Sequence, residues 1–283
     1  MTSVAFQGEL GAFSEEAVRR FFGEEVEPIP QRDFAGVGRA VMSREVEAGV
    51  LPIENTLAGS VVASYDVLAC NDVVVIGEVI TPIHHCVLGV PGARLERLTR
   101  VLSHPVALAQ CTRFLQARHG MEAVAFYDTA GAAREIAANG DPAVGAIAGQ
   151  RAAERYGLEV LAADVEDRND NQTRFLVIAR SGGMHLSRLV ADNQGAKKTT
   201  LLVDTPNTPG ALVRILSPFA ERGINLSKLE SRPAGEPWTY RFFIELDADA
   251  LSTPAREALA EVRGYAPNLR VLGSYPRSTG SNQ

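Results

Sequence analysis

From its first residues to about residue 180 the chain alternates short apolar runs with amphipathic stretches. Residues 3–7 (SVAFQ) predict a strand. A helix follows from Ser14 to Phe22, with Ser14 as N-cap and Glu15 and Glu16 at the positive end of its dipole. A strand at 26–30 (VEPIP) and a helix from near Asp33 come next. Val50, Leu51 and Ile53 predict a strand ending at Glu54 and Asn55, after which Gly59 and Ser60 lead into a helix carrying Val62, Tyr65 and Leu68. Residues 73–90 are β-rich, LERL begins a short helix, and 101–111, 123–140 and 143–158 each place a strand before a helix. The run ends in NQTRFLVIAR (171–180), a strand apolar on both faces and so expected inside a sheet.

This alternation predicts an α/β domain with a mainly parallel sheet, whose ligands sit at the carboxyl ends of strands beside helix N-termini. Four polar turns, at 8–14, 54–60, 103–105 and 128–129, fall at such ends. Together they suit a ligand with more than one carboxylate or phosphate. Residues 181–197 lose the periodicity, and Gly182, Gly183, Asn193 and Gly195 mark a linker. Beyond it, strands at 199–204, 225–232, 238–247 and 269–275 alternate with two helices in the β-α-β-β-α-β order of a ferredoxin-like domain. The first of those helices is capped by Thr208, starts at Pro209, ends at Gly223 and carries Pro218, which predicts a kink. RSTGSNQ (277–283) predicts a disordered tail.

Composition narrows the classes. Hydrophobic residues make up 46% and charged residues 22%, as in an ordinary protein with a full core, and the net charge of −6 argues against a general nucleic-acid binder. No bilayer span is expected, because the apolar run at 73–80 is broken by Gly77 and Glu78. No secretory signal is visible, and Cys70, Cys86 and Cys111 form neither a disulfide framework nor a metal pattern, so a cytoplasmic location is expected. His84 and His85, adjacent on a predicted strand, point to opposite faces and make a poor metal pair. Gly8 and Gly11 lack the third glycine of a dinucleotide fingerprint and read as a tight turn.

The densest polar chemistry lies at the mouth of the last strand, where Asn171, Gln172, Thr173 and Arg174 offer amides, a hydroxyl and a guanidinium to an anion. Arg174 either binds a carboxylate or pairs with Glu54. Asn55 and Ser60 sit at one turn, Ser103 and His104 at another with Gln110 further along, and Asp128 or Thr129 caps a helix at a third.

In order along the chain, GELGAFSEEA, LPIENTLAGSV, SHPVALAQC, YDTAGAA and NQTRFLVI resemble successive motifs of the prephenate dehydratases. GALVRIL with INLSKLESRP resembles the phenylalanine-binding signature of an ACT domain. Val106, where that family usually has glutamine, and Pro218 depart from the pattern. The resemblance implies a two-lobed, periplasmic-binding-protein-like catalytic domain over 1–182, a linker over 183–197, an ACT regulatory domain over 198–275 and a tail over 276–283. It implies conversion of prephenate to phenylpyruvate, water and CO₂ with no metal or organic cofactor. It further implies feedback inhibition by L-phenylalanine, and a homodimer or homotetramer with no nucleic-acid or membrane partner. On this resemblance Thr173 donates to the departing hydroxyl, Arg174 shapes the field there, binds a carboxylate or pairs with Glu54, and Glu54 counts with them among the catalytic candidates. His104 is the alternative acid. Asn55, Ser60, Ser103, Gln110, Thr129 and Asn171 are candidates for binding substrate, and Gly210, Ala211, Leu212, Asn225, Leu226 and Ser231 for binding phenylalanine. Two other functions stay open: arogenate as the substrate, or a non-catalytic amino-acid sensor.

Overall fold

A computed structural model of the chain describes residues 1–182, 195–235 and 237–278. Most of the expected linker and the end of the expected tail therefore lie outside the described residues. The first sheet contains β1 (Ser3–Gln7), β2 (Glu27–Gln31), β3 (Ala48–Asn55), β4 (Gly59–Ser60), β5 (Val73–Pro82) and the strand Gln172–Arg180. Its helices are α1 (Phe13–Phe22), α2 (Phe34–Met42) and α3 (Val62–Cys70). β1 runs parallel to β2 and to β3, so Gln7, Gln31 and Asn55 end at one edge. The second sheet holds β6 (Cys86–Gly89), β7 (Arg100–Ser103), β8 (Glu122–Ala125), β9 (Val144–Ala148) and β10 (Glu159–Ala162). Around it lie α4 (Pro105–Gln110), α5 (Thr112–Gln116), α6 (Thr129–Asn139) and α7 (Gln150–Tyr156). The chain enters this second lobe at 83–85 and returns through 163–171 to β11 (Gln172–Arg180), which lies between β3 and β5. Two sheets joined by two crossings make the two-lobed α/β arrangement that the sequence implied.

Several local expectations are corrected. The second sheet is mixed: β7 runs parallel to β8 and β9, whereas β6 is antiparallel to both β9 and β10. β6 arrives straight from the first lobe without a crossover helix, so nothing forces it parallel. The β-rich segment 73–90 is two strands, and His84 and His85 lie in the crossing between them, not in a strand. Helix α1 starts at Phe13 with Ala12 as N-cap, and Ser14 is inside it. The free amide of Gly11 is satisfied by the buried Glu15, whose Oε2 accepts it at 2.6 Å. Ser60 pairs with Glu54 in the β3–β4 hairpin, two residues before α3 begins. Asp128, not Thr129, caps α6, its Oδ1 accepting from Gly131 N. In the second lobe the small residues Ala130, Ala132 and Ala133 bring α6 close against Leu88, Ala146 and Ala148. Gly11 has φ +90°, and a Cβ there would lie 2.9 Å from Ala152 Cα, so only glycine lets the β1–α1 turn seat on α7.

The C-terminal sheet is antiparallel, with β12 (Lys197–Asp204), β13 (Leu226–Pro233), β14 (Tyr240–Leu246) and β15 (Asn268–Pro276) in the order β13-β14-β12-β15. Helices α8 (Ala211–Glu221) and α9 (Thr253–Val262) bury Ile215, Phe219, Ala258 and Leu259 against Leu201, Val203, Ile244 and Leu246. Helix α8 begins later than expected. Gly210, in the left-handed conformation, precedes it, and Thr208 and Pro209 lie in the turn before that. The helix runs through Pro218 to Glu221.

Packing divides the chain into two compact units, 1–61 with 79–175 and 62–78 with 176–283, so α3 and the first part of β5 belong with the C-terminal sheet. Within that unit the Tyr65 ring meets Phe243 edge-on at 4.8 Å. A Cβ on Gly273 would overlap the Val75 carbonyl. Lys198 Nζ lies 3.2 Å from Glu78 Oε2 and 3.6 Å from Glu245 Oε2, with all three residues buried. Replacing Lys198 with methionine keeps the bulk and leaves two buried carboxylates without their cation. Urea unfolding of Lys198→Met is expected to show a loss of about 3–5 kcal/mol.

Candidate active site

Successive residues of a strand point to opposite faces, and the ends of β3 and β11 use this to build two separate pairs. Glu54 and Arg174 meet on one side and Asn55 and Thr173 on the other. Arg174 Nε donates to Glu54 Oε1 at 2.6 Å, and Arg174 is buried. Of the two roles the sequence left open for Arg174, the ion pair is the one observed.

Asn55 is the hub of the opposite face. Its Oδ1 accepts from the backbone amides of Leu57 at 2.9 Å and Ala58 at 2.8 Å, which folds the hairpin turn around the side chain. Its Nδ2 donates to Asn171 Oδ1 at 2.8 Å, to Gln172 O at 3.0 Å and to Thr173 Oγ1 at 3.0 Å. Asn171, only 1% exposed, donates in turn from Nδ2 to Gln110 Oε1 at 3.1 Å. Thr56 reinforces the junction: its amide donates to Gln172 O and its Oγ1 accepts from Gln172 N. Among the described residues the Thr173 hydroxyl accepts from Asn55 and meets no acceptor for its own proton.

The other predicted residues divide. Asn55, Gln110, Asn171 and Thr173 form one connected chain of hydrogen bonds. Ser103 is fully buried, and its Oγ donates to Ile147 O at 2.6 Å, tying β7 to β9. His104 stands at the N-terminus of α4, with Nδ1 accepting from Val106 N at 3.3 Å. Thr129 opens α6, and Ser60 faces Glu54 across the hairpin. A cleft of about 740 Å³ opens at the carboxyl ends of β1 and β2, lined by Gln7, Gly8, Glu9, Gln31, Arg32 and Tyr127 among others.

Two features escaped the sequence reading. Tyr127 Oη donates to Glu9 Oε1 at 2.9 Å and accepts from Arg134, which also bonds Glu9 Oε2 at 2.7 Å, so this triad clasps one lobe to the other. His85, 2% exposed, places Nε2 at 3.0 Å from Gln110 Oε1. Burial pushes its pKa below the ordinary histidine value, more than the Gln110 bond and the Glu166 charge raise it. Neither feature has a sequence signature, since each joins segments far apart in the chain. His84 lies against Glu166 at 2.8 Å and Asp164 at 3.5 Å.

The six residues expected to bind phenylalanine are not gathered within one chain. Gly210, Ala211 and Leu212 lie at the N-terminus of α8. Ser231 pairs with Phe242, whose other neighbour Val203 lies near the strand end that leads into that turn. Asn225 and Leu226 lie past the opposite end of α8, where Asn225 Nδ2 donates to Asp247 Oδ2 at 2.7 Å. Eleven helical residues span about 16 Å, more than one amino acid bridges.

Comparison with known proteins is consistent across sequence and structure. Residues 4–182 match the family model for prephenate dehydratase, and residues 199–264 match that for the ACT domain. Arogenate dehydratase 1 of Petunia hybrida is 40% identical over 290 residues, covering 96% of this chain and 66% of that protein. Arogenate dehydratase/prephenate dehydratase 1, chloroplastic, of Arabidopsis thaliana is 37% identical over 288 residues, covering 96% and 71%. The chain thus spans about two thirds of the length of these plant relatives. The structure of prephenate dehydratase from Arthrobacter aurescens in complex with L-Phe superposes with a TM-score of 0.88 at 33% identity, covering 98% of this chain and 90% of that one. A structure described as the quorum-quenching acylase GqqA gives the same score and identity, covering 98% of both chains.

The Asx turn is testable without turnover. In Asn55→Ala the amide protons of Leu57 and Ala58 lose their acceptor, and hydrogen exchange at both is expected to speed up by about tenfold or more.

Proposed function

The chain belongs to the prephenate dehydratase family, and we propose that it converts prephenate to phenylpyruvate, water and CO₂ at the Asn55–Thr173 cluster. It is a lyase of phenylalanine biosynthesis with a catalytic domain followed by an ACT domain. The observation that carries the assignment of the site is the Thr173 hydroxyl, which accepts from the Asn55 amide and keeps its proton for a ligand.

In this reaction the C–O bond to the ring hydroxyl breaks and the ring carboxylate leaves as CO₂. The electron pair it leaves behind aromatises the ring, and the departing hydroxide takes up one proton to become water. Hydroxide is a poor leaving group, so the enzyme must stabilise negative charge growing on that oxygen. Thr173 supplies a donor there, and the Asn55 bond to Oγ1 polarises the hydroxyl toward donation. The Asn171–Asn55 bonds hold that donor in place before substrate arrives, which is where preorganised charge stabilisation acts. Glu54 and Arg174, on the other face, fix the ends of the same two strands. Ser103 supports the second sheet from within, and His104 stays at the rim of the second lobe as the alternative acid.

An acylase reading is not favoured. A nucleophilic threonine delivers its proton to an adjacent base, whereas this hydroxyl receives a hydrogen bond from an amide. Arogenate is the second substrate reading, because relatives 37–40% identical to this chain are named arogenate dehydratases. It differs from prephenate in carrying an ammonium where prephenate has a keto group, and competition between the two substrates decides the preference.

For regulation, L-phenylalanine binds the ACT domain, with the Gly210 turn taking its carboxylate. The distance between the two halves of the predicted site supports a homodimer in which one copy supplies the Gly210 end and the other supplies Asn225 and Leu226. Millimolar L-phenylalanine is expected to lower turnover, and Gly210→Val to relieve that inhibition without changing basal turnover.

The catalytic assignment predicts that Thr173→Ala lowers kcat by about 10²-fold or more with the thermal unfolding midpoint retained, while Thr173→Ser keeps most activity. Phenylpyruvate absorbance measures both. Turnover of Thr173→Ala within a few-fold of the unaltered enzyme removes Thr173 from the mechanism.

A further inference from the structure

The polarity of the whole polar chain at the site is fixed from one end. Backbone N–H groups can only donate, so the bonds from Leu57 N and Ala58 N require the Asn55 atom facing them to be the carbonyl oxygen. The Asn55 amide nitrogen therefore faces Thr173, the Gln172 carbonyl and Asn171, and the Asn171 atom that meets it must be an acceptor. Asn171 then presents its own NH₂ to Gln110, whose near atom must be Oε1. The same Oε1 faces His85 Nε2 at 3.0 Å, so that nitrogen must carry a proton. His85 Nδ1 is buried without a hydrogen-bond partner, as suits the bare lone pair of this tautomer and not an N–H. The Phe13 ring holds the imidazole edge-on, with centroids 5.6 Å apart.

With two donors on Oε1, the Gln110 NH₂ is turned away from both His85 and Asn171, and among the described residues it meets no acceptor. We propose that His85 is a positioning residue whose Nε2–H tautomer locks the Gln110 amide so that its NH₂, like the Thr173 hydroxyl, faces the substrate as a donor. Both ends of the chain then present protons, which matches a dianion losing hydroxide. Without the His85 proton, the Asn171 NH₂ alone holds Gln110 Oε1 in place, and the Gln110 amide loses one of the two donors that fix its orientation. This inference rests on the dehydratase reading for its substrate, but the tautomer does not depend on that reading.

The test has two arms. Nitrogen NMR of the imidazole rings, assigned through His85→Gln, is expected to show His85 protonated at Nε2 and bare at Nδ1. An Nδ1–H tautomer overturns the proposal whatever the enzyme's substrate. In kinetics, His85→Leu and Gln110→Leu are each expected to lower kcat/KM by about tenfold or more, chiefly through KM. The double variant is expected to be no worse than Gln110→Leu alone, because a positioning residue has nothing left to position. His85→Gln, which returns an N–H donor, is expected to recover part of the loss. Losses that multiply in the double variant, or a His85→Leu enzyme within twofold of the unaltered one, overturn the proposal. If the unaltered enzyme turns over neither prephenate nor arogenate, the dehydratase reading fails, and the spectrum still decides the tautomer.

Discussion

Two backbone amides, those of Leu57 and Ala58, set the orientation of Asn55, and the site's chemistry descends from that orientation. Four side chains drawn from both lobes follow in sequence, each forced to be donor or acceptor by the one before it. Reversing the first would put an acceptor against the Gln172 carbonyl and an NH₂ against the Leu57 and Ala58 amides, leaving polar groups opposed at a cost of about 1–3 kcal/mol each. The Thr173 hydroxyl is thus held by a side chain from a turn more than a hundred residues earlier. The ion pair of Glu54 with Arg174 holds the same two strands from the other face, and the two pairs together make the junction stiff.

Much of this was legible in the sequence. Strand–helix alternation identified the α/β domain, and the β-α-β-β-α-β order identified the C-terminal one. Asn55, Gln110, Asn171 and Thr173 were named from polar strand ends and helix turns, and they prove to be connected. What failed was local chemistry overruled by tertiary contacts. Ser14 has the composition of an N-cap, but Glu15 reaches back to Gly11 and the helix begins earlier. Ser103 looks available in a turn, but its hydroxyl is spent on Ile147. His84 and His85 were read only as a poor metal pair, because their adjacency says nothing of the partner that His85 finds on α4. In the C-terminal sheet a bulge between Leu226 and Lys228 shifts the alternation, so that Leu226 and Ser231, an odd number of residues apart, share a face. Bulges of this kind have no dependable signature in a single sequence.

Glu78 sits on a strand of the first sheet, yet its partner Lys198, which also pairs with Glu245, lies on a strand of the last. Tyr65 and Val75 likewise lie within the stretch matched as prephenate dehydratase and are covered by Phe243 and Gly273. The matched families and the compact units therefore divide the chain in different places: the family break falls in the 183–198 stretch, whereas the unit breaks fall just before α3 and cut through β5 and β11.

That mismatch bears on how such a protein was assembled and how it can be taken apart. A regulatory module appended by gene fusion usually comes away at its linker, leaving a competent enzyme. Here the sequence before residue 183 includes a helix and half a strand whose buried side belongs to the appended module. A chain ended at the linker would uncover Tyr65 and Val75 and leave Glu78 without Lys198. The C-terminal sheet thus covers part of the stretch matched as prephenate dehydratase, and a cut at the linker removes core along with the regulatory domain.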